Sequence, residues 1–153
     1  RLIAKLPRKE RKVIRYCHEI NATDSKVYKD AMKLYYARHV CRNRARSVRS
    51  ALVKNPNGNQ IYEYMWGASE FSATGTLKTY DRATQLQKIE CPTLFICGEY
   101  DEASPNTAKQ YAKTAVDADF VEIKNASHAI LAEKPNQLIK AVSHFISRLD
   151  TSK

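Results

Sequence analysis

Residues 92–98 read Pro-Thr-Leu-Phe-Ile-Cys-Gly, a short apolar run that stops at a glycine. Such a run is typical of a strand that is buried on both faces of a parallel sheet. Residues 120–123, Phe-Val-Glu-Ile, predict a second strand. Between the two, Ser104 and Pro105 form the N-cap and first-turn proline of a helix that we predict over residues 105–116.

A last amphipathic helix is predicted over residues 135–149. The apolar residues of its expected buried face are Leu138, Val142, Phe145, Ile146 and Leu149. The second half of the chain therefore alternates strand, helix, strand and helix. This order predicts an α/β fold with a parallel pair of strands joined by a right-handed crossover.

The first half of the chain has a helical pattern only. We predict a helix over residues 7–20 and a second one, capped by Asp24 or Ser25, that runs to about Cys41. A third helix is predicted over residues 42–54. The apolar stripes of the first two helices are Leu6, Val13, Ile14 and Cys17, then Val27, Ala31, Leu34 and Tyr35.

Two turn-forming stretches follow. Residues 55–59, Asn-Pro-Asn-Gly-Asn, predict a break, after which a short helix begins at residue 60 and ends near Gly67. Residues 69–79 predict an irregular link. We therefore divide the chain into a helical region of residues 1–75 and a sheet-containing region of residues 76–153.

The composition is that of a globular protein, with 43% apolar and 27% charged residues among 153. No apolar run has the length of a membrane helix, and the first residues lack the pattern of a secretory signal. The chain does not begin with Met. We therefore expect a fragment, a processed product or a trimmed chain.

The cysteines are Cys17, Cys41, Cys91 and Cys97. No two of them form a C-x-x-C pair, and no His lies at the spacing of a zinc finger. Scattered cysteines next to apolar residues fit a reducing compartment better than a disulfide framework. The expected location is the cytoplasm.

Positive charge is concentrated at the start of the chain, although the net charge of +10 belongs to the whole. Residues 1–60 carry 16 Lys and Arg against 4 Asp and Glu, whereas residues 61–153 carry 10 against 12. A basic segment can bind nucleic acid or an anionic surface. We favour a solvated helical face, because the basic residues alternate with an apolar stripe.

Polar residues follow both predicted strands. Asp101 comes directly after the first strand, and His128 follows the second. Because ligands of open parallel sheets bind beyond the carboxyl ends of the strands, these two side chains are candidates for one site. A carboxylate that accepts a hydrogen bond from an imidazole supplies two members of a serine-hydrolase triad. An ordinary acidic loop and a solvent-facing His are the alternative.

Three ordered segments carry a family resemblance. They are residues 65–71, Met-Trp-Gly-Ala-Ser-Glu-Phe, residues 74–78, Thr-Gly-Thr-Leu-Lys, and residues 98–105, Gly-Glu-Tyr-Asp-Glu-Ala-Ser-Pro. Together they resemble signatures of the proline iminopeptidases, α/β-hydrolase serine aminopeptidases that remove an amino-terminal residue, preferentially proline. The likeness runs from about residue 7 to residue 148. It implies the carboxyl-terminal part of an α/β-hydrolase fold, preceded by a helical cap region that includes Arg38-His39-Val40-Cys41.

The resemblance implies roles for single residues. Asp101 matches the triad acid and His128 the triad base. Glu70 and Glu102 match the carboxylates that receive the free α-ammonium of the substrate, a cation that needs opposing charge once it is desolvated. The alternative is that Glu70 faces solvent and Glu102 favours the dipole of the following helix.

The resemblance also implies an apolar site for the pyrrolidine ring, lined by Trp66 and Phe71, although either residue could instead belong to the core. No metal and no organic cofactor are implied. The expected partner is a peptide with a free amino-terminal proline. Membrane binding is not expected, and nucleic-acid binding is disfavoured.

The nucleophile is absent from these residues. None of the glycines frames a serine as G-x-S-x-G, the sharp turn that presents the nucleophile of an α/β-hydrolase. Ser69 and Ser127 are poor substitutes. We therefore expect residues 1–153 alone to be inactive and poorly soluble, and we expect the missing amino-terminal half of the same hydrolase as a partner.

Two other functions stay open. A related α/β-hydrolase that cleaves esters or amides would keep Asp101 and His128 without needing Glu70 and Glu102. A non-catalytic basic binding module would instead bind nucleic acid in a salt-sensitive way through the Arg-rich residues 38–54.

Overall fold

The computed structural model describes residues 3–43, 56–67 and 73–150. Their regular elements, apart from short 3₁₀ and π segments, are α1 (Arg8–Glu19), α2 (Lys26–Tyr35), α3 (Pro56–Met65), β1 (Thr93–Gly98), α4 (Pro105–Thr114), β2 (Ala118–Ile123), α5 (Ile130–Glu133) and α6 (Pro135–Asp150). The predicted third helix lies largely outside the described residues. The predicted order of strand, helix, strand and helix is confirmed, with α5 as an additional short helix.

The two strands form a parallel sheet. β1 and β2 pair in register from Thr93 opposite Ala118 to Gly98 opposite Ile123. The crossover α4 packs on both strands, as a connection between parallel neighbours requires. The Ser104 Oγ accepts a hydrogen bond from the Thr107 N–H at 3.3 Å. The predicted cap of this helix is therefore confirmed.

An apolar cluster lies beneath the end of β2. Ile123, Ala126 and Ile130 are buried there, and Ile96, Val121, Leu138 and Ala141 pack around them. The cluster joins both strands to α5 and α6. It fixes the backbone that follows β2, because close-packed side chains leave little room for that loop to move.

The buried face of α6 is only partly the predicted one. Leu138 packs against the core with Ala141, whereas Val142 is 37% exposed and Ile146 is 52% exposed. Each of these two residues directly follows a partly buried residue in the sequence. One position corresponds to about 100° around a helix, so each side chain is rotated away from the buried side. Neither residue is buried by the described part of the chain, so this part of the prediction is wrong for the described residues.

The first two helices pack against each other. Their buried residues are Ile14, Cys17, Tyr28, Ala31, Met32 and Tyr35. The Ser25 Oγ accepts the Tyr28 N–H at 3.3 Å, so Ser25 supplies the cap bond of α2. Val27 is 60% exposed, contrary to the prediction. The stripe through Tyr28 follows helical spacing, and Val27 lies beside it on the solvent side.

The ends of α2 and α3 differ from the predicted ones. The α-helical hydrogen bonding of α2 ends at Tyr35, and Tyr36–Val40 form a π-helical turn. α3 begins at Pro56, inside the predicted break, because proline fits the first helical position. Its end near Gly67 is confirmed. Gly67 has a φ of 117°, a conformation that favours glycine.

The described residues form two compact units. One contains α1, α2, α3 and residues 73–81, and the other contains residues 36–43 and 82–150. The division into residues 1–75 and 76–153 stays a prediction. Across the described ranges, no helix combines the length and the apolar character needed to cross a bilayer.

Candidate active site

Two loops leave the carboxyl ends of the strands. The Asp101 loop (residues 99–104) follows β1, and the His128 loop (residues 124–129) follows β2. The two loops are joined by backbone hydrogen bonds, since the Tyr100 N–H donates to the Ala126 carbonyl at 2.9 Å. A Cβ on Gly98 would lie 2.4 Å from the Ser127 carbonyl oxygen. Only glycine at the end of β1 allows the loops to approach so closely.

The His128 loop turns sharply at its start. Asn125 has a φ of 56°, a left-handed conformation in which Asn is favoured among residues with a side chain. Its N–H donates to the Glu99 Oε2 at 2.9 Å. Ala126 and Ser127 are then completely buried. The turn thus directs the chain under the Asp101 loop before it reaches His128.

Asp101 and His128 form a hydrogen-bonded pair. The His128 Nδ1 lies 3.0 Å from the Asp101 Oδ1. Because an ionised carboxylate only accepts hydrogen bonds, Nδ1 carries the proton and Nε2 is left as the basic nitrogen. Asp101 is 4% exposed, whereas the His128 side chain is 55% exposed. A buried acid therefore orients an accessible base.

The carboxylate of Asp101 is also held by its own loop. Its Oδ1 accepts the Ala103 N–H at 2.9 Å, and its Oδ2 accepts the Gly98 N–H at 3.3 Å. Backbone donors of this kind stabilise the charged form of a carboxylate. Asp101 consequently satisfies the requirement that a buried charge be hydrogen-bonded.

Neither buried nucleophile near the pair is suited to attack. Burial, together with the charges of Asp101 and Glu122, raises the pKa of the Cys97 thiol to about 11. The thiolate, which is the reactive form, is therefore scarce at neutral pH. The Ser127 Oγ donates to the Glu133 Oε1 at 2.7 Å, and Ser127 has no exposed surface.

Glu133 is hydrogen-bonded to the His128 loop. Its Oε2 accepts the Ser127 N–H at 2.7 Å, and its Oε1 accepts the Arg42 N–H. Partial burial acts to raise the pKa of this carboxyl, but hydrogen bonds from Ser127, Arg42 and Asn43 outweigh it and hold the pKa below its ordinary value. Glu133 was not identified as a site residue from the sequence. Its position five residues after His128 is the only signal that the sequence offers.

His39 is a second residue that the sequence did not single out for the site. It is 5% exposed, and its Nδ1 lies 2.8 Å from the Tyr100 carbonyl oxygen. The His39 carbonyl accepts the His128 N–H at 3.1 Å, and the Val40 carbonyl accepts the Ala129 N–H at 2.8 Å. The π-helical turn thus contacts both loops.

The described residues include only two of the four predicted substrate-binding residues. Glu102 is half-buried beside Asp101, ahead of α4. Trp66 is half-buried just after α3, in the other unit. Glu70 and Phe71 lie outside the described residues. The structure therefore brings Asp101, Glu102 and His128 to one edge of the sheet.

An apolar cavity of about 560 Å³ opens beside His128. Ile96, Ile130 and Leu138 line it together with His128. Among the described residues, no three His, Cys, Asp or Glu side chains gather as the ligands of a metal ion would. The chemistry that these residues can support is proton transfer at His128.

No protein-family model matches the chain. The proline iminopeptidase of Heyndrickxia coagulans is 32% identical to it over 152 residues, which make up 97% of this chain and 52% of that protein. The proline iminopeptidase of Saccharolobus solfataricus is 30% identical over 150 residues, with 97% and 48% covered. The chain therefore spans about half the length of the curated relatives it matches.

The crystal structure of a proline iminopeptidase from Mycobacterium smegmatis superposes on the chain with a TM-score of 0.85 at 27% identity. By sequence and by fold, this chain is similar to the proline iminopeptidases. The superposition covers 99% of this chain and 51% of the M. smegmatis enzyme. The resemblance to proline iminopeptidases is confirmed, and a match to one half of them agrees with the predicted carboxyl-terminal half.

A second solved structure, VinJ, matches with a TM-score of 0.84 at 29% identity and covers 95% of this chain and 50% of VinJ. The structure thus confirms the predicted fold class, part of an α/β-hydrolase. It shares this half of the fold both with a proline iminopeptidase and with VinJ. The fold alone therefore leaves the substrate open, and the substrate must be argued from the site.

Proposed function

We propose that this chain carries the acid and the base of a serine aminopeptidase that releases amino-terminal proline from peptides. The observation that carries the proposal is the hydrogen bond of 3.0 Å between the Asp101 Oδ1 and the His128 Nδ1. It leaves Nε2 of an accessible imidazole as the proton acceptor. The relatives named proline iminopeptidase support the reaction class.

In the proposed mechanism, His128 Nε2 takes the proton of a serine hydroxyl as its oxygen attacks the carbonyl carbon of the first peptide bond. The imidazolium then gives that proton to the leaving amine, and an acyl-enzyme remains. Water repeats the cycle, losing its proton to His128 and releasing proline and the free serine. Asp101 stays ionised and stabilises the imidazolium throughout.

The nucleophilic serine is proposed to lie outside residues 1–153. These residues contain no G-x-S-x-G sequence, and Ser127 is buried against Glu133. Among the described residues β1 pairs only with β2, which leaves its other edge open to a further strand. The exposed Val142 and Ile146 form an apolar surface that the same partner would cover. We propose the missing amino-terminal half of the hydrolase as that partner.

Recognition of the substrate is proposed to depend on charge. The free ammonium of an amino-terminal residue lies at a fixed distance from the scissile carbonyl, so carboxylates can bind it and set the register of the peptide. Glu102 adjoins the catalytic acid in the sequence, and Glu70 is the proposed second carboxylate. Trp66 and Phe71 are proposed to contact the pyrrolidine ring. A cytoplasmic location stays a prediction.

The test uses the natural gene product that contains residues 1–153. We expect it to release p-nitroaniline from prolyl-p-nitroanilide, and to fail on the N-acetylated substrate because the ammonium is lost. His128→Gln should reduce kcat/KM by about a thousandfold or more, whereas the exposed His144→Gln should not change it. Equal rates on both substrates would instead favour a general esterase or amidase, and full activity of His128→Gln would refute the site.

The 153-residue polypeptide should be assayed alongside it. We expect no release of p-nitroaniline by this polypeptide, because the residues that remain provide a base without a nucleophile. Turnover by the pure polypeptide, abolished by His128→Gln, would contradict the proposed division of the catalytic residues.

A further inference from the structure

His39 lies between the two loops that carry the proposed acid and base. Its imidazole Nδ1 is 2.8 Å from the carbonyl oxygen of Tyr100, the residue before Asp101. Its own carbonyl oxygen accepts the N–H of His128 at 3.1 Å. A single residue, 5% exposed, thus contacts the backbone of one loop through its side chain and that of the other through its main chain.

The direction of the side-chain bond is fixed by chemistry. A carbonyl oxygen can only accept a hydrogen bond, so the His39 Nδ1 must carry the proton. The bond orients the peptide group between Tyr100 and Asp101, and because a peptide group is planar, the Asp101 Cα is oriented with it. The imidazole of His39 therefore constrains where the Asp101 carboxylate lies.

The main-chain bonds follow from the π-helical turn. Carbonyl groups at the end of a helix have no partner further along it and accept hydrogen bonds from elsewhere. Here the carbonyls of His39 and Val40 accept the N–H groups of His128 and Ala129. Single π-helical turns occur frequently at functional sites. The turn at Tyr36–Val40 supplies the backbone that the His128 loop needs.

A neighbouring residue reinforces the same connection. The Arg42 guanidinium lies 4.0 Å from the centre of the Tyr100 ring, a cation–π contact. The Arg42 N–H donates to Glu133, which also binds Ser127. The segment of residues 39–42 consequently contacts the Asp101 loop once more and reaches the His128 loop through Glu133.

We propose that His39 is a positioning residue, which sets the distance between Asp101 and His128 by holding both loops at once. The inference rests on the proposed function, because positioning has meaning only if the pair transfers protons. In this proposal His39 does not contact the substrate. A loop displaced by about 1 Å can reduce turnover on the order of a hundredfold.

The test compares two substitutions of similar size in the natural gene product. Asn places its amide nitrogen where His has Nδ1, so His39→Asn keeps a donor for the Tyr100 carbonyl, whereas His39→Leu removes it. We expect His39→Leu to lower kcat on prolyl-p-nitroanilide by on the order of tenfold or more with little change in KM. His39→Asn should stay within about threefold of the parent. His144→Leu, at an exposed position of α6, is the control.

A spectroscopic readout separates this inference from the proposed function. With ¹⁵N-labelled histidine, NMR reports which ring nitrogen of His128 carries the proton. In the parent we expect the proton on Nδ1, and in His39→Leu a mixture of both tautomers. If Nδ1 is not protonated in the parent, the proposed Asp101–His128 function fails, and this inference fails with it. If the parent behaves as expected and His39→Leu retains both the tautomer and kcat, only the role of His39 is overturned.

The inference can still be tested if one of the variants does not fold. His39→Gln keeps a polar amide but moves its nitrogen one bond further out, away from the position of Nδ1. If His39→Leu fails to fold, the comparison of Asn with Gln decides. A loss of kcat in Gln alone supports the inference, and equal kcat in the two variants overturns it.

Discussion

The Asp101 loop and the His128 loop lie side by side, but different parts of the chain hold them. Asp101 is held mainly from within its own loop and strand end, by the N–H groups of Gly98 and Ala103. The His128 loop is held by residues from elsewhere, through His39 and Val40 of the π-helical turn and through Glu133. The carboxylate of the acid is thus held mainly by its own loop, with one distant contact from His39 to Tyr100, whereas the base depends on the tertiary structure throughout.

This difference matches the roles proposed for the two residues. An acid that only orients its partner can be fixed and buried, as the exposure of 4% for Asp101 indicates. A base must meet substrate and nucleophile, and the His128 side chain is 55% exposed. An exposed side chain gains little support from its own surroundings, so the backbone beneath it has to be held by neighbours.

The largest effect on folding is expected where the two loops touch. Gly98→Ala would place a Cβ 2.4 Å from the Ser127 carbonyl oxygen, and backbone on both sides must move. We predict a loss of about 3 kcal/mol in the free energy of unfolding of the natural gene product, measured by urea denaturation. Gly58→Ala within α3 is the control, since Ala is favoured over Gly inside a helix. A Gly98→Ala chain as stable as the parent would show that the loops can separate freely.

A smaller effect on stability is expected from loss of the hydrogen bonds between Glu133 and the His128 loop. Glu133→Gln replaces a carboxylate that accepts hydrogen bonds from Ser127 and Arg42 with an amide that cannot accept them all. We predict a loss of about 2 kcal/mol at neutral pH, together with lower kcat, because the His128 loop loosens. Asp30→Asn removes a carboxylate from an exposed pair with Lys33 and should leave stability unchanged.

The same residue predicts a dependence on pH. The fold lowers the pKa of Glu133 from its ordinary value of 4.5, so the unfolded chain binds the proton more readily. The stabilisation is fully present above that value and is lost as pH falls through the lower pKa of the folded state. The difference in stability between parent and Glu133→Gln should therefore shrink below about pH 4.5. A difference that stays constant down to the acid transition would contradict the role of the charge.

The smallest effect is expected at the end of the Asp101 loop. Ser104→Ala removes the cap bond to the Thr107 N–H, and we predict a loss of about 1 kcal/mol. Because Gly98 and Ala103 still hold the carboxylate, kcat should not change. The loss is measured by urea denaturation, with Ser143→Ala, at an exposed position of α6, as the control. A drop in kcat for Ser104→Ala would show that the acid is not held locally.

The same contrast explains what the sequence could predict. The strand before Gly98, the cap at Ser104 and the place of Asp101 depend on neighbours in the sequence, and the structure has each of them where it was predicted. His128 was predicted because parallel strands end at one edge. These positions follow from local pattern and sheet topology, whereas the roles of acid and base came from the family resemblance.

The remainder depends on contacts between distant residues. His39 contacts Tyr100, 61 residues later, and Arg42 contacts Glu133, 91 residues later. No local pattern encodes such pairs. Val27 and Val142 were assigned to buried faces because they are apolar, but burial is decided by what packs against a helix. The described residues leave Val142 37% exposed.

The central claim is that Asp101 and His128 act as one unit, and a double-mutant cycle tests it most directly. The measurement is kcat/KM of the natural gene product on prolyl-p-nitroanilide for Asp101→Asn, His128→Gln and the double variant. Because residues that act as a unit are strongly non-additive, we predict that the double variant is no slower than His128→Gln alone. If the two losses instead multiply, the residues act independently, and the proposed acid–base pair is contradicted.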